Sequence, residues 1–314
     1  MCNFFSSAPL TTECAVGINA QGRGWHELVS HIVQFGEDRI VAGDYVGFDQ
    51  HMSARMTLLS FKVFEEVAKM AGYSEEDLKM MRGCASEVCN PLMCLNGELV
   101  QMFGSNPSGQ NLTTYCNSIV NSLYNRCVFR ILYPDCDVKF SDAVKLTSYG
   151  DDVKMSVHPK YPLFNHTEIQ KVFLKHGIEY TMADKESESV GYINHLEASY
   201  LQRDCRFEPR YCYLDGEEKV DGMWLAMLKE DSIFKSLHSN LASSTETPEM
   251  VAIQCIEGAL REWWFYGKEV FDLRHQQLKE VVLTMEWTHF MSPQFFLNFE
   301  ERETLWLENN ECFL

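Results

Sequence analysis

The stretch Val144-Lys145-Leu146-Thr147-Ser148-Tyr149-Gly150-Asp151-Asp152-Val153-Lys154-Met155-Ser156-Val157 decides how this chain is read. Val144 and Leu146 alternate with polar neighbours before Gly150-Asp151, and Val153, Met155 and Val157 alternate after it. A period of two on both sides of a short Gly-Asp turn predicts two half-buried strands joined as a hairpin. Asp151 and Asp152 then stand side by side at its tip. Adjacent carboxylates repel and raise each other's proton affinity, so a fold that displays them together usually supplies a cation. Oxygen-only ligands favour magnesium or manganese. Asp and Gly also occupy turns for conformational reasons alone, so the pair takes its meaning from what accompanies it.

Upstream, Arg39-Ile40-Val41-Ala42-Gly43-Asp44-Tyr45 reads as a buried strand running into Val46-Gly47-Phe48-Asp49. Met52, Met56, Leu59, Val63, Val67 and Met70 then recur at helical spacing, with Gly72 as a stop. Asp44 thus falls at a strand end and Asp49 at a helix start. Capping alone accounts for an acid at a helix start. A carboxylate that closes an apolar strand needs a partner, water or a metal. Residues 1–35 are weakly periodic, with Gly17, Gly22 and Gly24 expected to break any long element.

Ser74-Glu75-Glu76-Asp77 opens a short helix, and Asn96-Gly97 marks a tight hairpin. The loop Gly104–Gly109 leads into a helix with Leu112, Cys116, Ile119, Val120 and Leu123 on its apolar face. Ser108, Thr113 and Asn117 can present two hydroxyls and an amide together, for capping or for a substrate. After the Asp151 hairpin, Thr167-Glu168-Ile169-Gln170 resembles a capping box, Gly177 closes that helix, and Ile178–Met182 is a strand. Lys185 follows in a polar loop, where a lysine is ordinarily a solvated charge. Tyr200–Phe207 forms a further strand or hairpin carrying two arginines. From residue 211 the pattern is mainly helical: Thr247-Pro248 is a strong helix start and a second helix covers about 268–285. Trp263 and Trp264 read as core between these helices rather than as stacking platforms for nucleic acid.

The 314 residues, 46% of them hydrophobic and 12% aromatic, suffice for a sizeable core or for two to three domains. No run approaches the length of a membrane span. Twelve cysteines include no C-x-x-C pair; Cys84, Cys89 and Cys94, five apart, are spaced too widely for an ordinary structural zinc site, and reduced thiols are expected. The net charge is -18, of which residues 211–314, with 8 basic and 19 acidic side chains, contribute -11. This balance excludes a protein that grips nucleic acid nonspecifically through its whole surface.

In order, these features resemble the palm of a viral RNA-dependent RNA polymerase of the picornavirus-like group, near its dicistrovirus and marine picorna-like members. Asp44-x-x-x-x-Asp49 looks like motif A of that family; Pro107-Ser108-Gly109 with Thr113, Thr114, Asn117 and Ser118 like motif B; Tyr149-Gly150-Asp151-Asp152 like motif C; Ala183-Asp184-Lys185 like motif D. Tyr200-Leu201-Gln202-Arg203 is similar to motif E, with Gln where Lys is common. The resemblance spans roughly residues 35–207. It implies an α+β fold: a palm of antiparallel sheet backed by helices, RRM-like, at 36–210 with a fingers-side insertion near 72–103, then a helical thumb at 211–314. Residues 1–35 would be a remnant of the fingers, most of which, with their basic strand, have no counterpart here.

The resemblance further implies template-directed transfer of ribonucleotides from nucleoside triphosphates to an RNA 3′ end, with two Mg2+ or Mn2+ ions held by Asp44, Asp151 and Asp152, and Lys185 as the general acid for pyrophosphate. Asp49, Ser108, Gly109, Thr113 and Asn117 would surround the ribose, whose 2′-hydroxyl both donates and accepts. Tyr149, Gln202 and Arg203 would contact primer or template RNA. Implied partners are RNA, the triphosphates, a genome-linked protein primer and other viral replication proteins, in a host cytoplasmic complex reached by cleavage of a polyprotein and attached to membrane only through those proteins. A reverse transcriptase would typically place a bulky aromatic where Asp49 stands. A noncatalytic palm-thumb piece, inactive without its fingers, is the rival from another class.

Overall fold

A computed structural model describes residues 2–106, 108–239 and 242–314; Pro107, part of the motif B match, lies outside the described residues. The chain forms two compact units, residues 1–18 with 30–201 and residues 19–29 with 202–314.

In the first unit α1 (Cys2–Ser7) and α2 (Pro9–Thr12) precede α3 (Arg23–Ile32), whose residues up to Val29 group with the second unit. Gly24 was expected to interrupt an element here. It instead lies at the second position of α3, in the turn where helix hydrogen bonds are not yet required of the N–H groups. β1 (Ile40–Tyr45) leads through α4 (Phe48–His51) to α5 (Ala54–Met70) and α6 (Glu75–Cys89). α6 is longer than the short helix expected, and Ser74 and Asp77 close its capping box reciprocally. β2 (Leu92–Leu95) and β3 (Glu98–Gln101) form the hairpin read from Asn96-Gly97, both with positive φ. α7 (Thr113–Leu132), α8 (Phe140–Ala143), β4 (Val144–Tyr149), β5 (Asp152–Val157), α9 (His166–Lys175) and β6 (Tyr180–Met182) complete the unit. The N-cap of α9 is Asn165, whose side chain accepts from the Glu168 N–H, so the cap falls two residues before the Thr167 expected.

The main sheet has the order β4-β5-β1-β6, antiparallel throughout. Helices α5, α7 and α9 supply Phe64, Cys116, Val120, Val128, Ile169 and Phe173 to a core shared with Val41, Tyr45, Val153 and Met155 of the strands. The reading of β5 as half-buried is corrected: Lys154 and Ser156 are as buried as the apolar residues between them. The second face of β5 is covered at Lys154 by the segment carrying His195 and Ala198, whose carbonyls accept from the Lys154 ammonium at 3.1 and 2.5 Å. β4 is not an open edge either, because Ala15 N–H donates to Ser148 O and Ser148 N–H to Glu13 O. Glu13, at φ 60°, is fixed there by a two-pronged ion pair with Arg126 at 2.6 and 2.8 Å.

The second unit opens on a long hairpin, β7 (Arg203–Asp215) and β8 (Glu218–Leu228), with an irregularity between Glu208 and Cys212. The expected palm–thumb division at 210/211 therefore falls inside a strand. Among the described residues four α-helices follow, α10 (Glu230–His238), α11 (Pro248–Trp264), α12 (Lys268–Thr284) and α13 (Phe299–Asn309), before β9 (Cys312–Phe313) returns to pair with β7. Thr247 caps α11 by accepting from Met250 N–H, with Pro248 in the first turn. Trp263 and Trp264 are buried, as the core reading requires. Among the described residues no helix is long and apolar enough to cross a membrane.

Candidate active site

Asp44 is the penultimate residue of β1, paired with Thr181 of β6. Its neighbour Gly43 is fixed by space: a Cβ there would lie 2.2 Å from Cζ of Tyr180, whose ring lies against the strand. The β1–β5 register ends at Gly43 opposite Val153, so Asp44 and Asp152 are the next residues of two neighbouring strands, close enough for the Asp44 charge to act on Asp152. Asp151 is carried one residue further by the two-residue turn after Tyr149, in which Gly150 adopts φ 67° with open space around it. Gly150 answers to conformation, Gly43 to crowding.

Helix α7 holds the turn in place. Ser118 Oγ accepts from Gly150 N–H at 2.9 Å, and Asn121 Nδ2 donates to Asp151 O at 2.8 Å and Gly150 O at 3.3 Å. Asn121 Oδ1 in turn accepts from the Tyr45 hydroxyl (3.1 Å) and from Asn125 Nδ2 (3.0 Å). One buried amide thus ties the Asp151 turn to the residue after Asp44. The sequence reading did not single out Asn121 or Tyr45. The available signal was Asn117, Asn121 and Asn125 at four-residue intervals on a buried helix, since amides are rarely spent in a core without a network.

The electrostatics are those of crowded acids. Desolvation, then the charges of Asp151 and Asp44, push the Asp152 carboxyl up to about 6, against the opposing pull of Lys185. Asp151 lies at an exposed tip, yet neighbouring protein still desolvates it enough to raise its carboxyl, and Asp44 adds to the shift. Lys185 Nζ pairs with Asp44 Oδ2 at 2.9 Å, and this hydrogen bond and charge hold the ammonium above its usual range. Lys185, at φ 67° on an exposed loop, is therefore engaged with the acids rather than solvated at random. Among the described residues no three Asp, Glu, His or Cys side chains already form a metal cage. The donor set nevertheless fits a hard divalent cation: all oxygen, short of positive charge, with one flexible lysine on Asp44.

Asp49 occupies the first turn of α4, whose N-cap is Gly47, so its carboxylate does not serve as the cap. Asn106, which the sequence reading left within a loop, links two expected ribose residues: its N–H donates to Asp49 O at 2.8 Å and its Nδ2 to Asn117 Oδ1 at 2.6 Å. Thr113 begins α7, while Ser108 and Gly109 lie exposed ahead of it, Gly109 at φ 131°. Tyr149 is exposed beside the acidic turn. Gln202 and Arg203 belong to the second unit. Arg203, expected at the RNA, places both its terminal nitrogens on Glu262 at 2.8 Å, and the pair is largely buried.

A family model for viral RNA-dependent RNA polymerases matches residues 1–272. The chain belongs to this family. It is 27% identical over 266 residues to the RNA1 polyprotein of Raspberry ringspot virus, covering 83% of this chain and 11% of that polyprotein. It is 25% identical over 296 residues to the replicase polyprotein of Drosophila C virus, covering 88% of this chain and 16% of the relative. The chain thus spans only a small part of these polyproteins. The polymerase fold is also that of a solved Sicinivirus 3Dpol RNA dependent RNA polymerase, with a TM-score of 0.67 at 18% identity over 97% of this chain and 58% of that one.

Proposed function

We propose that this chain is the palm and thumb portion of an RNA-directed RNA polymerase, which extends an RNA 3′ end by ribonucleotides chosen on an RNA template. The observation that carries the proposal is the convergence of Asp44, at the end of β1, with Asp152, at the start of the neighbouring β5, and with Asp151, whose turn is held by Asn121 and Ser118. Residues 1–35 are its lead-in, the four-stranded sheet and its helices the palm, and the hairpin of β7 and β8 with the helices after it the thumb.

Asp44, Asp151 and Asp152 would hold divalent magnesium or manganese, two ions in the full site. Such ions, when bound, ease formation of the attacking 3′-oxyanion and stabilise the leaving pyrophosphate. Lys185, kept charged by Asp44, carries the proton for that pyrophosphate on a loop exposed enough to follow it. Asp49, Ser108, Gly109, Thr113 and Asn117 recognise the ribose, with Asn106 fixing the Asp49 loop to Asn117. Tyr149 and Gln202 meet the primer or template. RNA, nucleoside triphosphates, a genome-linked protein primer and other viral replication proteins are the partners of this reading, and a cytoplasmic replication complex, after cleavage from a polyprotein, is its place.

The test is extension of an RNA primer on an RNA template with magnesium or manganese, by this chain and by one lengthened upstream, each beside its Asp151→Asn variant. Metal-dependent incorporation lost in the variant is expected. Folded protein of both lengths that incorporates nothing with either metal overturns the proposal and leaves a noncatalytic module.

A further inference from the structure

The second unit holds most of the negative charge, yet two of its guanidinium groups meet no carboxylate. Arg261, in the last turn of α11, and Arg302, on α13, line one cavity of about 190 Å³. Among the described residues Arg261 makes no ion pair within 4 Å. Arg302 donates to Gln294 O at 2.5 Å and lies 5.2 Å over the Phe271 ring, but its Nε is buried without a hydrogen-bond partner. Glu257 is the acid that faces Arg302, and its Oε1 already accepts from Ser292 N–H at 2.7 Å. Burial pulls the Arg302 guanidinium below its ordinary range; Glu257 opposes this and Arg261 adds to it. A partly buried cation beside a second cation is costly unless something negative completes the site.

The walls say what else that partner carries. Trp264 and Trp306 flank the cavity with ring centroids 5.5 Å apart. Their indole N–H groups are spent on Phe299 O (3.4 Å) and Gln21 O (2.7 Å), so the cavity meets ring surface rather than donors. Leu297 and Leu305 extend the apolar lining. Gln21, Gln294 and Asn309 add neutral polar groups to the lining. A few polar and cationic groups in a mainly apolar hollow are the usual composition of a small-ligand site, and this one is below the usual size.

We propose that this cavity binds a monocarboxylate carried on a single aromatic ring or a branched apolar body, with Arg302 and Arg261 on the carboxylate and Trp264 and Trp306 on the body. The carboxylate belongs either to a free small acid or to the end of a peptide whose last residue is apolar. The site is independent of the polymerase reading.

Phenylacetate, titrated into the full chain and followed by tryptophan fluorescence and calorimetry, tests it. Saturable binding is expected, with phenylacetamide about tenfold weaker because the charge-assisted hydrogen bonds are lost. Arg261→Gln, at an exposed position, should weaken phenylacetate severalfold at unchanged melting temperature, and Arg302→Lys should keep more affinity than Arg302→Gln. The peptide Ala-Gly-Phe beside its C-terminal amide separates the two sources: tighter binding of the free-acid peptide than of phenylacetate assigns a chain terminus, the reverse a small acid. Equal affinity for acid and amide, absence of saturation by both phenylacetate and the peptide acid, or affinity unchanged in the Arg261→Gln/Arg302→Gln double variant overturns the proposal.

Discussion

In the second unit Glu262 faces both terminal nitrogens of Arg203, and Glu303 receives Arg210 at 3.1 Å and the Tyr211 hydroxyl at 2.6 Å, whereas in the first unit Asp44, Asp151 and Asp152 share one lysine. Glu208 makes the contrast quantitative in direction: burial works to raise its carboxyl, yet Arg210 and Arg206 hold it below the ordinary range, while Asp152 is raised to about 6. These glutamates of the second unit are neutralised by arginines, as Glu13 is by Arg126 in the first, whereas the three acids around the Asp151 turn are left short of positive charge. The first arrangement satisfies its charges internally, so that removal of one partner alone is costly. The second withholds stability and retains a place for a cation, as functional sites characteristically do.

The contrast breaks most sharply at Asp151. Asp151→Asn should reduce nucleotide incorporation by roughly three orders of magnitude or more, because it removes a charge the transition state needs, with a melting temperature close to that of the parent. Near-normal turnover would remove Asp151 from the chemistry. Arg203→Gln should act the opposite way: loss of about 3 kcal/mol of stability, the usual consequence of orphaning a buried carboxylate, read in urea unfolding. If stability held and only RNA affinity fell, Arg203 would return to the RNA-contacting set.

Asn121→Ala tests positioning rather than charge. We expect incorporation to fall by roughly ten- to a hundredfold, as misplacement of reacting groups does, mainly in kcat with little change in KM. A fall in KM-limited rate alone would assign Asn121 to substrate binding instead. The smallest effect is on Asp152. Its carboxyl is raised from 3.8 in the unfolded chain to about 6 in the folded one, so between those values the folded protein binds more protons and loses stability as pH rises. Without divalent metal, Asp152→Asn should therefore melt a few degrees above the parent at pH 7 and level with it near pH 4. A difference that does not depend on pH would detach Asp152 from the acidic cluster.

Much of the first unit was legible because its signals are local. The hairpin at Gly150-Asp151 and the Asn96-Gly97 turn reappear as read, as does the Thr247-Pro248 helix start in the second unit. The misses share a cause. Lys154 and Ser156 look solvent-facing in the alternating pattern, and at Lys154 it is the distant His195–Ala198 segment that meets the ammonium and excludes water. Asn165 rather than Thr167 caps α9 because cap geometry depends on backbone angles that neighbouring residue types leave open. Asn106 and Asn121 matter through partners between 11 and 76 residues away, which no local pattern records.

By itself the sequence determined the two Asp-bearing strand ends with the helices around them and the family to which the chain belongs, since periodicity and motif spacing are properties of neighbouring residues, but it read as mainly helical the stretch after 211 in which β7 ends and β8 lies. Only the tertiary structure decided that Asp44 and Asp152 come close on neighbouring strands, that Lys185 reaches Asp44, that Arg203 is claimed by Glu262, and that Arg302 lacks a buried partner for its Nε. Each of these depends on which distant charge arrives within a few ångströms, and Coulomb energy and desolvation are set by that distance and not by position along the chain.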